Sequence, residues 1–466
     1  MITPCTTRWS APLQYHKPNP QFLLALARII VAGEATPKAI AGRLRQSLGL
    51  DFRWINGLAK RYAEKFARGT RPRAKAVVKF LSSDEGFNGA FARSKIKPAI
   101  VDRFSSPAQM LPVRAAAEWQ IPAIETEGAL AAWLRATPEE LEWFADLKHL
   151  CPHSREEKLR HYNYRVLAKP GGSVRLIEAP KQRLKQIQHE ILTGILERIP
   201  THDAAHGFVK GRSIKTFVSA HTGQRVVLRM DLKDFFPSIR SARVQALFRT
   251  AGYPERVADL LGGLCTTAAP RAVFSAKRVS NPEFTIDPTA LFHAWQTYAF
   301  PHVPQGAPTS PALANLCMYR ADCRLSGLAR AAGAIYTRYA DDLAFSGGED
   351  FDRCAGRFAI HAAAILLEEG FEVNHRKTRV MRRGVRQYLA GVVANERVNV
   401  VRADFDRLKA TLTNCVRHGP ASQNREGHAN FRAHLAGRVS FVEMLNPQKG
   451  ARLKKILNQI VWPEAK

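Results

Sequence analysis

The chain reads as an α+β protein, and three observations predict it. Apolar residues recur at helical spacing through the first 135 or so positions. Between Tyr162 and Val400, short β-like runs alternate irregularly with helical stretches, and beyond Val400 the pattern is helical again. The length of 466 residues and hydrophobic fraction of 45% suit a folded protein of more than one domain.

Taken in order, Pro20 to about Phe66 is a helical region, with FLLALARIIVAG at helical period and Thr36-Pro37 as an N-cap followed by proline at the first helical position. RGTRPRAKAVVKF, residues 68–80, interleaves basic and apolar residues, which suits a helix laid on phosphates and a solvated amphipathic face equally well. A further helix centres on ATPEELEWFADLKHL, where Thr137, Pro138 and Glu140 form a capping-box start. From Tyr162 the runs YRVLAK and SVRLIEAP, separated by Pro170-Gly171-Gly172, predict a hairpin with basic flanks. KQRLKQIQHEILTGILERI is helical, VVLRMDL from Val226 is a buried strand, and IYTRYADDLAFSGG from Ile335 is two strands around a tight turn. LKATLTNCVRHG, FRAHLAGRVSFVEML and ARLKKILNQIV are helical, and no internal repeat appears.

Lys and Arg number 70 against 40 Asp and Glu, giving a formal charge of +30 and a pI near 10.3. So large an excess points to a polyanionic partner, nucleic acid ahead of a membrane surface. The seven cysteines are scattered, with no CxxC pair or His-rich cluster to complete a zinc site, as expected of reduced intracellular thiols. No signal-peptide core and no apolar stretch of membrane-spanning length is present, so a cytoplasmic location without membrane contact is expected.

The chemistry rests on carboxylates. Two-metal phosphoryl transfer needs them to converge from different strands. Asp231 follows the apolar run VVLRM, and Asp341-Asp342 sit at a hairpin turn behind Tyr339-Ala340. An aspartate pair in a turn is ordinarily structural, because Asp bonds its own backbone there, so the context must decide. Phe235 and Phe236 would fall on opposite faces of a strand, leaving at most one of them as simple packing. Gly306 after Gln305 permits close backbone approach, although Pro304 and Pro308 also fit an ordinary loop. His206 and His221 read as packed or hydrogen-bonding residues rather than catalytic ones.

Three strings in order, LRMDLKDFFPSI, VPQGAPTSPALANL and RYADDLAFS, resemble the polymerase signature of reverse transcriptases. With HYNYRVLAKPGGSVRLIEAPKQRLKQIQ, IPTHDAAHGFVKGRSIKT and LAGVVANERVNV, the stretch from about Pro138 to Leu457 is most similar to bacterial retron enzymes. The resemblance implies a right-hand polymerase fold of fingers, palm with antiparallel sheet and helical thumb. It divides the chain into an N-terminal helical accessory region (1–135), fingers and palm (136–400) and thumb (401–466). It assigns metal binding to Asp231, Leu232, Asp341 and Asp342, with two Mg2+ ions for which Mn2+ could substitute. The same three aspartates are implied as catalytic, with Lys377 protonating the pyrophosphate leaving group and Arg376 and Arg379 as neighbouring alternatives. The incoming deoxynucleoside triphosphate falls to Lys169 and Arg175 as phosphate clamp, to Asp234, Phe235 and Phe236, the last as a steric gate against a ribose 2′-OH, and to Gln305-Gly306 beneath the nascent base pair. Lys409, Arg417, Arg438, Lys454 and Lys455 are implied as phosphate contacts along a template-product duplex.

For function, the resemblance implies a structured noncoding RNA template, priming from a 2′-OH of that RNA, a branched RNA-linked single-stranded DNA, and antiphage defence with an effector protein. Two family signatures are altered here. Asn-Ala-x-x-His stands as Phe217-Val218-Ser219-Ala220-His221, and Val-Thr-Gly as Leu389-Ala390-Gly391. These leave open a non-retron defence-associated reverse transcriptase with another template or untemplated synthesis; a separate rival, an RNA-binding scaffold with a vestigial polymerase fold, is disfavoured by retention of all three carboxylates, Gln305 and the basic residues flanking the Pro-Gly-Gly turn.

Overall fold

The structure, a computed structural model, describes residues 18–66, 71–101, 109–154, 156–169, 174–275, 279–280 and 288–462. The Pro170-Gly171-Gly172 turn and positions 68–70 of the basic segment lie outside the described residues. Backbone contacts divide the chain into two units, Met1–Lys148 with Gln245–Leu264, and His149–Val244 with Cys265–Lys466.

The first unit opens with α1 (Pro20–Val31), α2 (Pro37–Leu48), α3 (Trp54–Lys65), α4 (Ala74–Ser83) and α5 (Glu85–Arg93). Their apolar stripes meet in one core that includes Leu26, Ile40, Leu58, Tyr62 and Phe87. Caps set the helix starts: Asn19, Thr36 and Asp84 each accept a backbone N–H of the first turn. At the other end of α1, the buried Arg43 guanidinium donates to the Ile29 and Ile30 carbonyls of the last turn, the first of which also accepts the Ala32 N–H. After α6 (Glu127–Trp133), α7 (Pro138–Ala145) starts on the expected capping box of Thr137 and Glu140.

The second unit carries the sequence motifs. In it β1 (Tyr162–Ala168) and β2 (Val174–Pro180) pair antiparallel, with Tyr162 opposite Pro180. Then follow α8 (Gln182–Gly194), α9 (Ile214–Ser219), β3 (Val226–Asp231), the single-turn α10 (Phe235–Ser238) and α11 (Ser241–Thr250), whose residues from Gln245 belong to the first unit. The next helix, α12 (Glu255–Leu264), belongs to the first unit and packs on α7. A Cβ on its Gly263 would lie 2.3 Å from the Ala145 carbonyl oxygen, so this close approach requires glycine. Back in the second unit, the short β4 (Val279–Ser280) pairs parallel to β1, ahead of α13 (Pro288–Tyr298) and the long α14 (Ser310–Ala331).

The hairpin β5 (Ile335–Tyr339) and β6 (Asp342–Gly347), followed by α15 (Glu349–Glu368) and β7 (Arg379–Arg382), completes a four-stranded antiparallel sheet in the order β5-β6-β3-β7. Its inner strand β3 opens on the fully buried run Val226–Leu228 because both faces are covered there. Contacts with α15 cover it, and Val227 joins a core with α9, the small hairpin β8 (Tyr388–Leu389) and β9 (Val392–Val393), and the last helices. Those are α16 (Arg402–His418), α17 (Phe431–Leu445) and α18 (Pro447–Leu457). The architecture is α+β, as the periodicities predict. One local expectation fails: Phe235 and Phe236 do not alternate along a strand, because Asp234 adopts a positive φ of 44° and turns the chain into α10.

Candidate active site

Strand register brings the three aspartates to one end of the sheet. Asp231 closes β3 and faces Asp342, the first residue of β6. Asp341 precedes it in the two-residue turn, and its carbonyl accepts the Leu232 N–H at 3.0 Å, tying the end of β3 to the turn. The turn opens on Ala340 at φ 55°, a conformation held from outside. Arg338 does the holding. Fully buried, it donates to both Asp322 oxygens, to Asn315 and, at 3.1 Å, to the Ala340 carbonyl. Asn315 in turn donates to the Gly207 carbonyl, and a Cβ on Gly207 would lie 2.7 Å from the Ala340 nitrogen.

Two cations face the carboxylates. The Lys377 ammonium lies 3.0 and 3.1 Å from the two oxygens of buried Asp231. Arg229, two residues before Asp231 and so on the same face of β3, grips Asp342 through two hydrogen bonds of 2.8 and 3.1 Å. Burial, and then the neighbouring Asp231 charge, push the Asp341 carboxyl above its usual range. Burial raises Asp342 as well, against the opposing pull of Arg229. Lys169 is drawn down chiefly by burial and then by Arg175, and it also feels Asp234, Lys377 and Asp231. These residues therefore share one electrostatic neighbourhood.

The remaining candidates are placed as follows. Phe235 is buried against Phe371, whereas Phe236 is half-exposed, with its ring 6.5 Å from that of Phe208. The Gln305 carbonyl accepts the Glu178 N–H of β2 at 2.9 Å, and at Gly306, with φ 135°, an added Cβ would lie only 3.0 Å from the Glu178 carbonyl oxygen. Lys409 and Arg417 are exposed on α16, Arg438 is half-buried on α17, and Lys454 and Lys455 are exposed on α18, where Lys454 pairs with Glu443 at 3.5 Å. These five lie on the last helices, outside the cluster around the aspartates. Arg229, Arg338, Asp322 and Phe208 escaped the sequence reading. Arg229 had a signal, since period two puts it beside Asp231, whereas Arg338 looks like any basic residue until its burial is known.

Among the described residues, no group of three or more His, Cys, Asp and Glu side chains already encloses a metal position. The donor set nevertheless fits divalent cations: hard carboxylate oxygens, two of them on groups whose burial and mutual repulsion call for positive charge. Lys377 reaches Asp231 through a side chain that is 59% exposed and so can yield the carboxylate.

Both altered signatures lie in ordered parts of the second unit. Phe217 and Val218 are fully buried in the core shared with α16 to α18, and His221 binds Ser346 and Thr337 at 2.6 and 2.7 Å. Ala390 and Gly391 both have positive φ, 44° and 88°, between the paired Leu389 and Val392, the signs of a type I′ hairpin turn.

Residues 167–400 match the family model described as reverse transcriptase (RNA-dependent DNA polymerase). The chain is 37% identical over 456 residues to the retron Mx65 reverse transcriptase of Myxococcus xanthus, covering 97% of this chain and 94% of that protein. It is 38% identical to the retron Mx162 reverse transcriptase of the same organism, over 70% of this chain and 65% of that one. Against the retron Ec86 reverse transcriptase of Escherichia coli the identity is 28%, over 62% of this chain and 78% of that protein. Reverse transcriptases of this kind use divalent metal ions. Matched along nearly its whole length by a retron enzyme, the chain belongs to the retron-type reverse transcriptases and is an RNA-directed DNA polymerase.

Proposed function

We propose that this polymerase copies a structured noncoding RNA into single-stranded DNA, starting from a 2′-OH of that RNA and leaving a branched RNA-linked product, and that it does so in antiphage defence with an effector partner. The observation that carries the chemical part is the meeting of Asp231, Asp341 and Asp342 at one sheet end, within the field of Lys169 and Lys377. A hydroxyl gives up its proton to water as its oxygen attacks the α-phosphorus of a deoxynucleoside triphosphate, the bond to the bridging oxygen of the β-phosphate breaks, and pyrophosphate leaves. Two Mg2+ ions, held by the three carboxylates with the Leu232 backbone alongside, would stabilise the attacking and leaving oxygens. Lys169 and Arg175 bind the triphosphate, and Lys377 delivers a proton to the departing pyrophosphate. Gln305-Gly306 supports the new base pair, with Asp234 and Phe235 shaping the pocket and Phe236 excluding a ribose 2′-OH. In this reading residues 136–400 act as fingers and palm and 401–466 as thumb, where Lys409, Arg417, Arg438, Lys454 and Lys455 track phosphates; residues 1–135 are an accessory region. The site is proposed to work in the cytoplasm; among the described residues no helix is long and apolar enough to cross a membrane.

The test is to isolate the protein from its host and sequence the RNA and DNA that accompany it. A DNA joined through a 2′,5′ linkage to one discrete RNA is expected, absent from an Asp341→Asn/Asp342→Asn protein. Linear or untemplated DNA would overturn the branched product.

A further inference from the structure

Glu178 and His302 form a fully buried ionisable pair beside the nucleotide-binding candidates. Both side chains are 0% exposed, and Glu178 Oε2 lies 2.9 Å from His302 Nε2. His302 Nδ1 lies 2.8 Å from the Phe300 carbonyl, which can only accept, so Nδ1 carries a hydrogen and donates it. A bond from Nε2 to a carboxyl oxygen then requires a second proton between the two groups. The unit is a hydrogen-bonded bridge of fixed length. It is not an obvious source of stability: Glu178 Oε1 is buried with no hydrogen-bond partner among the described residues, and apolar residues of similar volume commonly match or exceed a buried pair.

What the pair does have is position. Glu178 sits on β2, the strand that carries Arg175. Its N–H donates to the Gln305 carbonyl at 2.9 Å, and its own carbonyl oxygen packs on Gly306. His302 exchanges two backbone hydrogen bonds of 2.9 Å with Thr267. Its neighbours reach the far side of α10: the Val303 N–H donates to the Ile239 carbonyl and the Ser241 N–H to the Pro301 carbonyl, both at 3.0 Å. The strand bearing the phosphate clamp, the loop under the base pair and the helix bearing Phe236 are therefore all fastened within a few residues of one bridge.

We propose that Glu178 and His302 are positioning residues that set the spacing between the triphosphate clamp, the base-pair platform and the Phe236 gate, and thereby fix affinity and sugar selectivity for the incoming nucleotide. The inference rests on the nucleotide-site reading given above. Neither side chain is open to substrate, so the pair acts through the segments it joins and takes no part in proton transfer at the reacting atoms.

The test is single-nucleotide insertion by the full-length protein on an RNA template with an annealed DNA primer. Four variants are compared. Glu178→Leu breaks the bridge, and His302→Asn keeps an amide near Nδ1 but no longer reaches Glu178. Glu178→Gln offers a donor to a neutral Nε2, and His302→Gln keeps an amide near Nε2. The first two should raise KM for a deoxynucleotide roughly tenfold and reduce the preference over the matching ribonucleotide several-fold, with kcat and primer-template affinity within about threefold of the parent. The two glutamine variants should stay within about twofold in all four quantities. His302→Asn compared with His302→Gln serves if Glu178→Leu does not fold. Equal KM and equal selectivity across every folded variant overturns the proposal, as does a loss confined to kcat. Phe236→Ala runs alongside: if it fails to admit ribonucleotides, the gate reading itself fails, whereas a relaxed Phe236→Ala beside unaltered bridge variants rejects the bridge alone.

Discussion

At the scale of single residues, the site is a set of carboxylates kept close at a cost. Burial and the Asp231 charge raise the Asp341 carboxyl, so the folded state favours its neutral form more than the unfolded chain does. Between the ordinary and the raised value the native protein binds more protons, and stability falls as pH rises through that window. At neutral pH the charged Asp341 is therefore a liability, and a neutral isostere removes it. Asp341→Asn, melted in the presence of a chelator, should gain on the order of 1 kcal/mol, about 2 °C in midpoint for a chain of this size, while polymerisation is lost. Asp342→Asn should show no such gain, because it strips Arg229 of its charged partner. A lower midpoint for Asp341→Asn would remove the argument. The aspartates were legible because strings of residues surround them, and their counter-cations were only half legible. Lys377 was read with Arg376 and Arg379 as neighbouring alternatives, and in the fold it is Lys377 that meets Asp231. Arg338 could not be read as a buried support at all, since its partner Asp322 lies on α14 and nothing local marks the pair.

At the scale of elements, the turn that carries Asp341 and Asp342 depends on how β5 and β6 are pinned from behind. His221 is the pin: its two ring nitrogens engage Thr337 of β5 and Ser346 of β6, and burial lowers its pKa to about 3. The ring is neutral in the folded protein, whereas the unfolded chain takes up a proton below about 6.5. His221 thus contributes stability that is complete above that value and is lost as pH falls toward the folded pKa, at no more than about 1.4 kcal/mol per pH unit. The thermal midpoint should decline from about pH 6.5 to about pH 5, and His221→Asn should flatten part of that decline. His206, lowered to about 4 by burial and Arg212, accounts for a share that this variant leaves in place. A decline as steep in His221→Asn as in the parent would exclude His221 as its source. Most elements were legible because periodicity and caps are local signals, as at Thr137 and in the β5-β6 hairpin. Phe235-Phe236 was not, because period-two reasoning assumes that the strand continues, whereas β3 ends at Asp231 and the positive φ at Asp234 turns the chain into α10. The pairing of β4 with β1 was also beyond reach, since two residues carry no period.

At the scale of the whole molecule, the excess of 70 basic over 40 acidic side chains is the broadest signal and the least localised. It foretold a polyanionic partner without saying which surface meets it. Assignment of Gln245–Leu264 to the first unit is likewise a tertiary fact that no local pattern encodes. The exposed Lys454 and Lys455 on α18 allow the general charge to be separated from a particular track. Phosphate contacts release counterions, so the logarithm of affinity falls linearly with the logarithm of salt concentration, by about 0.7 to 0.9 for each contact. If α18 follows a duplex backbone, Lys454→Gln/Lys455→Gln should lower the magnitude of that slope by roughly 1 to 2 on an RNA-DNA duplex. The weakening should be the same for unrelated duplex sequences, because phosphate contacts position without reading bases. Loss of general charge alone would act differently. Neutralising two exposed lysines of the first unit outside the basic 68–80 segment, Lys38→Gln/Lys60→Gln on α2 and α3, changes the net charge by the same amount and should leave the slope within error of the parent. Equal slopes for both double variants and the parent would dissociate α18 from the duplex. Equal reductions in both would mean that affinity follows total charge, with no track on the last helices.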